Sequence, residues 1–404
     1  MIQRPLYLSQ IIPYVDQPQI KILVGIRRAG KSTILEYIEN LLIKRGKPAD
    51  TIVHINFDTL NYAEIRDKKS FLTLVQNLYK EGKRYFLFDE IQNIESWDEV
   101  ISALFAEKDT DIYLTGSNSK LLSSELSTFL TGRYINIRVS TLNFSEFLDF
   151  KKSRGDDISN LDETFSEYLD RGGFPTLHLT PQSLTQCDQT IRDIYSSIVF
   201  RDLVEHHNIR NTELLSRIVK FIFDNIGNIF SANSISNYLK NEHRNLNPET
   251  LYNYLAWLEE AFIIDRISRY DLRGKNLLKT QDKFFLSDVG LLYAVNGRNE
   301  TYLSGILENI VHHELISRGY SVNLGKNNDK EIDFVAEKNH QKIYLQVTTK
   351  LDSEATIERE FGAYDGITDN YPKYVLSLDK ETPWTKDQHG IHHKYLPDFI
   401  LNNL

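Results

Sequence analysis

Eight consecutive residues carry the clearest chemistry in this sequence. Gly25-Ile26-Arg27-Arg28-Ala29-Gly30-Lys31-Ser32 reads G-x-x-x-x-G-K-S, a phosphate-binding loop pattern. Glycine at 25 and 30 allows backbone angles and close approach that a Cβ would block. The N–H groups of Arg28, Ala29 and Gly30, continuing through Lys31, Ser32 and Thr33, then point inward and cradle phosphates at a helix N-terminus. Lys31 places a point charge on the β- and γ-phosphates, and Ser32 offers a hydroxyl to Mg²⁺. An ordinary glycine-containing turn is the competing reading. The flanks argue against it. An apolar, β-branched run at 20–24 precedes the loop, and residues 33–38, apolar at 34, 35 and 38, begin a helix. The cofactors expected are ATP and Mg²⁺.

A second group of candidates follows the loop. Tyr85-Phe86-Leu87-Phe88-Asp89-Glu90 is an apolar run closed by two acids. It reads as a buried parallel strand whose C-terminal end carries carboxylates, where ligands of open α/β sheets bind. Asp89 can hold Mg²⁺ directly or through water, and Glu90 can orient and deprotonate the attacking water. Both are needed because hydrolysis is mostly positioning and charge neutralisation around the γ-phosphate. Residues 111–116 form another apolar run, closed by Ser117 and Asn118. These two either reach the γ-phosphate or cap the next helix. Arg133, after Thr131-Gly132, is either a surface residue or an arginine finger supplied in trans to a neighbouring subunit. The catalytic candidates are therefore Glu90, Asn118 and Arg133, with Ser32 and Asp89 for the metal.

The elements that must position these residues belong to a chain of 404 residues, enough for two or three domains. The net charge of −9 means that the whole molecule is not built electrostatically for nucleic acid, although a local basic face is compatible with it. A single cysteine, Cys187, excludes an intramolecular disulfide and suits a reducing compartment. Residues 1–6 lack the apolar core of a signal peptide, and no run of about 18 apolar residues occurs. The expected location is cytoplasmic.

The order of phosphate loop, acid-tipped strand, polar-tipped strand and Gly132-Arg133 resembles the AAA+ superfamily of P-loop ATPases. It is closer still to a prokaryotic branch of small ATPases that carry a C-terminal domain of uncharacterised function. The similar stretches include Leu114-Thr115-Gly116-Ser117, Leu142-Asn143-Phe144-Ser145-Glu146-Phe147 and Gly172-Gly173-Phe174-Pro175, the last falling where a helical lid should pack on the nucleotide. Residues 282–290 continue the likeness. The resemblance implies ATP binding, Mg²⁺-dependent hydrolysis and homo-oligomerisation.

The expected class is α/β: a P-loop parallel-sheet ATPase core over 1–180, a helical lid plus winged helix over 181–290, and a C-terminal α/β domain over 291–404. Residues 183–224 have helical spacing without Gly or Pro, and Arg201-Asp202 within them reads as a salt bridge. Residues 231–239 and 250–260 read as helices around a turn at 245–249, followed by a strand at 262–270. Next come Arg266, Arg269, Arg273, Lys275, Lys279 and Lys283. This basic hairpin reads as a wing that contacts nucleic-acid phosphates, or as part of a docking module between domains. The expected partner is DNA or protein.

An amphipathic helix over 307–318 carries Glu308, and two strands follow with Asp333 and Gln346. The pattern resembles the restriction-endonuclease-like fold, whose sites gather two acids on a divalent metal with a lysine near the attacking water. Here Gln346 stands where Glu is expected and Thr348 where Lys is expected, with Lys350 two residues further on. The expectation is a nuclease-like fold without nuclease activity. The pairs His206-His207, His312-His313 and His392-His393 lack metal-ligand spacing and are expected at the surface. Three functions fit. The first is an ATPase that couples turnover to movement of its appended domains. The second is an ATP-controlled binding switch with slow turnover, and the third an ATP-regulated nuclease.

Overall fold

The structure, a computed structural model, describes residues 2–122, 133–230, 234–237, 248–272, 276–277, 282–380, 387–388, 390–402 and 404. It divides into two compact units, one of residues 1–139 with 260–262, the other of residues 140–259 with 263–404. Among the described residues no helix is long and apolar enough to cross a membrane.

The first unit is built on five short strands: β1 (Ile20–Val24), β2 (Ile52–Asn56), β3 (Tyr85–Asp89), β4 (Asp111–Gly116) and β5 (Tyr134–Arg138). They form one parallel sheet in the order β2-β3-β4-β1-β5. All residues of β1 and β4 are buried, as their continuous apolar runs require in a sheet covered on both faces. Helices α1 (Pro5–Ile11), α2 (Lys31–Lys44), α3 (Lys68–Lys80) and α4 (Trp97–Phe105) accompany the strands. Asp67 caps α3 by accepting from the N–H groups of Lys69 and Ser70. The α3 side of the sheet holds a cluster of rings. Phe71 meets Phe57 at 5.6 Å and Phe88 at 5.4 Å between centroids. Such pairs add about 0.5–1.5 kcal/mol each beyond their area burial.

Parallel strands bring every C-terminal end to one edge of the sheet. That edge receives the loop after β1, the acids after β3 and the polar residues after β4. The opposite edge carries a buried ion pair of Lys21 with Asp111, to which the Tyr113 hydroxyl also donates at 2.8 Å.

The second unit contains two further sheets. A small antiparallel one has the order β6-β10-β7, from β6 (Ile229–Phe230), β7 (Ile264–Ile267) and β10 (Asp282–Leu286). The larger one has eight strands in the order β15-β16-β14-β13-β12-β11-β8-β9. Its members are β8 (Arg269–Asp271), β9 (Asn276–Leu277), β11 (Ser321–Asn327), β12 (Lys330–Lys338), β13 (Gln341–Val347), β14 (Lys373–Ser377), β15 (Asp387–Gln388) and β16 (Ile391–Tyr395). β11, β12 and β13 are antiparallel neighbours, and β14 then pairs parallel to β13. The strand expected over 262–270 is thus two strands that belong to different sheets.

Several sequence expectations change here. Helix Leu303–Ser317 is not amphipathic: Ile306 to Leu315 are all buried, polar residues included. His312 and His313 are buried, not at the surface. His312 stacks on Phe285, with ring centroids 4.6 Å apart. The stretch 183–224 is interrupted, with a π-helix at Ile198–Glu205 between helices Leu184–Ser197 and Thr212–Asp224. Helix Pro248–Glu260 buries Leu251, Tyr254, Leu255 and Leu258 as its spacing predicts. Of the helix expected at 231–239 only 234–237 are described. The turn at 245–247 and the hairpin residues Arg273, Lys275 and Lys279 lie outside the described residues.

The motif-like stretches 142–147, 172–175 and 282–290 meet inside the second unit. Leu142 N–H donates to Gly173 O at 2.7 Å. Asp288 accepts from Gly173 N–H through Oδ2 and from Gly290 N–H through Oδ1, each at 2.8 Å. Glu314 accepts from Phe144 N–H at 2.7 Å and from Arg318 at 3.2 Å. Burial pushes Asp288 up to about 6, against its hydrogen bonds from Thr141, Gly173 and Gly290. Burial pushes Glu314 up to about 7, against the nearby charge of Arg318.

Candidate active site

The loop 25–30 leaves β1 and runs directly into α2. Gly25 has φ 154°, and a Cβ there would come 2.0 Å from the carbonyl oxygen of Val139. Only glycine fits. Left-handed Arg28 (φ 68°) and Gly30 (φ 96°) flank Ala29, whose N–H, expected to cradle phosphate, instead donates to Ile26 O at 3.2 Å within the loop. Arg28 is exposed, while Ala29 is buried. Lys31, 3% exposed, donates from Nζ to Gly25 O at 3.0 Å and to Ile26 O at 3.2 Å. Thr33 follows in the first turn of α2.

The acids arrive from β3 beside this loop. Asp89 accepts from Asn56 Nδ2 at 2.7 Å, from the Thr115 hydroxyl and from the Ser32 hydroxyl. The two metal candidates, Ser32 and Asp89, are therefore in contact. Burial raises the pKa of Asp89, against its hydrogen bonds from Thr115 and Ser32. A buried carboxylate in that state is receptive to a cation. Glu90 is left-handed, with φ 57°, a conformation of the kind that clusters at functional sites. Its N–H donates to Thr115 Oγ1 at 3.0 Å. Its Oε2 accepts from Gln92 and, at 3.4 Å, from Ser117.

Ser117 thus stands at the Glu90 carboxylate. Asn118 is directed elsewhere in the first unit, donating to Glu260 Oε1 at 2.7 Å. Arg133 is exposed and lies at the other edge of the sheet. Its carbonyl accepts from Ile20 N–H at 2.8 Å, beside the first residue of β1. The length of β1, about 16 Å at 3.3 Å per residue, separates that edge from the loop.

Sequence reasoning missed four residues here. Thr115 touches both acids. Gln92 holds Glu90. Asn56, opposite Asp89 in the β2–β3 register, holds Asp89. Arg4, 3% exposed, donates to Ala29 O at 2.6 Å and braces the loop from behind. The position of Thr115 and Asn56 at strand ends was a usable signal. Nothing local marks Arg4.

A second polar cluster lies in the second unit. Glu308 and Asp333 come together as expected, but around Lys283. That lysine is 2% exposed and cannot serve as a phosphate contact on a wing. Arg266 is likewise paired, with Glu259 at 3.2 Å and Asp282 at 3.7 Å. Gln346 Oε1 accepts from the Asp333 N–H at 3.2 Å, and Thr348 donates to Lys350 O at 3.4 Å.

A five-stranded parallel sheet with a G-x-x-x-x-G-K-S loop after β1 and paired acids after β3 defines a P-loop ATPase fold. Residues 17–148 match a family model described as an AAA domain, and residues 162–302 match one described as a domain of unknown function, DUF8612. The chain belongs to a P-loop ATPase family that includes an uncharacterized protein of Haemophilus influenzae, 38% identical over 404 residues and covering 99% of each chain. An uncharacterized protein of Methanocaldococcus jannaschii is 30% identical over 364 residues, covering 86% of this chain and 78% of that one. Among solved structures, a Walker-type ATPase of Pyrococcus abyssi is similar over 73% of this chain and 96% of that chain, at 15% identity and a TM-score of 0.47. That last likeness is too loose to carry more.

Proposed function

We propose that the protein binds ATP with Mg²⁺, hydrolyses it, and uses turnover to change the conformation of its second unit on a DNA or protein partner. The observation that carries this reading is the convergence of Lys31, Ser32, Asp89 and Glu90 at one edge of the parallel sheet, with Thr115 bonded to both acids. Ser32 and Asp89 are the residues for Mg²⁺, which would supply charge neutralisation on the phosphates. Glu90 takes the proton of the attacking water, and Gln92 and Ser117 hold its carboxylate in place. Arg133 acts in trans, on the ATP of a second copy, because its own loop lies across the sheet. Lys31→Ala should abolish ATP binding by calorimetry, since it removes the cation that the loop fixes. Unchanged affinity would overturn the assignment.

Within the second unit we read residues 291–404 as nuclease-like in fold and inactive. Glu308 on a helix, Asp333 on one strand and Gln346 on the next support the fold. The engagement of Gln346 with backbone and of both acids with Lys283 supports inactivity. The full chain should cleave neither single- nor double-stranded DNA in Mg²⁺ or Mn²⁺. Cleavage lost in Asp333→Ala would make the nuclease reading the correct one.

A further inference from the structure

Arg4 is a buried arginine aimed at the loop that follows β1. Its Nη1 donates to Ala29 O at 2.6 Å, a short bond assisted by the charge of the donor. Backbone and guanidinium are both fixed. Arg4 is the N-cap residue of α1 and stands directly before Pro5, whose ring restricts the residue that precedes it. Tyr7 N–H donates to Arg4 O at 3.2 Å. The guanidinium lies 4.5 Å from the centroid of the Tyr7 ring, and Nη2 donates to the Tyr7 hydroxyl at 3.4 Å. Tyr7 and Ile11, on one face of α1, are fully buried. The arginine therefore reaches the loop from a helix that is itself docked in the core.

What its bond sets is a peptide plane. In a trans peptide the C=O and the following N–H point in opposite directions. With its carbonyl turned to Arg4, the Ala29–Gly30 peptide turns the Gly30 N–H away from α1. Ala29 is fully buried and Gly30 only half-buried, so that N–H faces the more open side of the loop. Glycine at 30 leaves the plane otherwise free to choose. It accepts positive and negative φ alike, so its own backbone does not resist rotation of the peptide. A charged donor on the carbonyl fixes the plane, and it also polarises the peptide and strengthens its N–H as a donor.

We propose that Arg4 is a positioning residue of the nucleotide site, holding the Ala29–Gly30 peptide so that the Gly30 N–H is offered to phosphate. The inference rests on the reading that this loop binds ATP. Arg4 acts through the loop and not by touching the nucleotide. Without it the peptide can turn over and present its carbonyl oxygen to the phosphates, where two acceptors repel. Affinity for the phosphate chain thus depends on α1, which lies before the sheet in the chain and outside the loop motif.

The test uses the full chain with Mg²⁺, and measures ATP and ADP affinity by calorimetry beside ATP turnover. Arg4→Ala should weaken both nucleotides by roughly ten- to a hundredfold, as expected for one hydrogen bond to a charged group. KM for ATP should rise with it while kcat changes by less than about threefold, because the loop holds bound substrate and transition state alike. Arg4→Lys keeps the charge and a donor but not the planar fork, and should recover part of the loss. Ile11→Val loosens the packing of the same helix and should leave both affinities within about twofold of wild type. Wild-type affinity in folded Arg4→Ala overturns the proposal. An equal loss in Ile11→Val also overturns it, since the effect is then a general loosening of α1. Should Arg4→Ala fail to fold, Arg4→Lys decides. Weakening by at least about threefold with kcat retained supports the proposal, and wild-type affinity overturns it. Lys31→Ala separates this inference from the ATP reading. If Lys31→Ala abolishes binding and Arg4→Ala does not weaken it, the site stands and the role of Arg4 is overturned. If wild type binds neither nucleotide, both are overturned.

Discussion

The Nζ of Lys31 lies 4.0 Å from Oε1 of Glu90. The cation of the loop and the carboxylate after β3 are thus direct neighbours at the end of the sheet where the phosphate-binding loop lies. Lys31 also bonds two carbonyls of its own loop. Phosphate oxygens would be better acceptors, because they carry negative charge opposite the ammonium and the carbonyls do not. The geometry of Glu90, the proposed base, is set by neighbours from β4 and from the turn after β3.

Thr115 is the neighbour that sets both acids at once. Its hydroxyl donates to Asp89 and accepts the N–H of Glu90. Thr115→Val keeps the shape and removes the hydroxyl. Turnover should fall by about a hundredfold, as expected when reacting groups are misplaced by about an ångström. Thr115→Ser should restore most of it. ATPase assays on the three proteins check this, and an unchanged rate in Thr115→Val would remove Thr115 from the site.

Arg133 can be tested by mixing. Arg133→Ala alone and Glu90→Gln alone should each hydrolyse ATP slowly. If Arg133 serves a second copy, an equimolar mixture should recover activity, because some interfaces then pair an intact Glu90 with an intact Arg133. A strictly additive mixture would argue against action in trans.

The buried acids of the second unit predict a pH dependence. Asp288 and Glu314 have pKa values raised from 3.8 to about 6 and from 4.5 to about 7. In both cases the folded chain holds its proton to higher pH than the unfolded chain does. Stability from these groups is therefore fully present below about pH 4 and declines as pH rises to about 7, by on the order of 2–3 kcal/mol each. Other carboxylates with lowered values, such as Asp162 beside Lys380 and Tyr395, act in the opposite sense. The prediction is thus best read as a difference. Asp288→Asn turns an amide NH₂ toward one of two backbone donors and should destabilise by about 1–3 kcal/mol. It should also flatten the decline between pH 4 and 6 in denaturant titrations. A wild-type slope in that variant would contradict the assignment.

The first unit was legible because its chemistry is local in sequence. The loop is eight consecutive residues, and Asp89-Glu90 closes an apolar run that can only be a buried strand. Lys283 was misread because its meaning is not local. In Asp282-Lys283-Phe284-Phe285-Leu286 it shares a strand face with buried Phe285, and that period-two pattern was a signal for burial. Counted as one more base in a basic stretch, it looked solvated. Its partners lie 25 to 50 residues further on, and only the fold brings them together. His312, His313 and Glu314 were similarly opaque. A helix that is buried all round has polar positions whose partners, such as Thr141 and Phe144, are far away in sequence.

The most direct measurement is ATP turnover and ATP affinity in Glu90→Gln beside wild type. Gln keeps the size and the hydrogen bonds from the turn but cannot take a proton. The account predicts Mg²⁺-dependent hydrolysis by wild type. For Glu90→Gln it predicts ATP affinity within a few-fold of wild type and turnover slower by at least about a hundredfold. Hydrolysis by Glu90→Gln at the wild-type rate would contradict it.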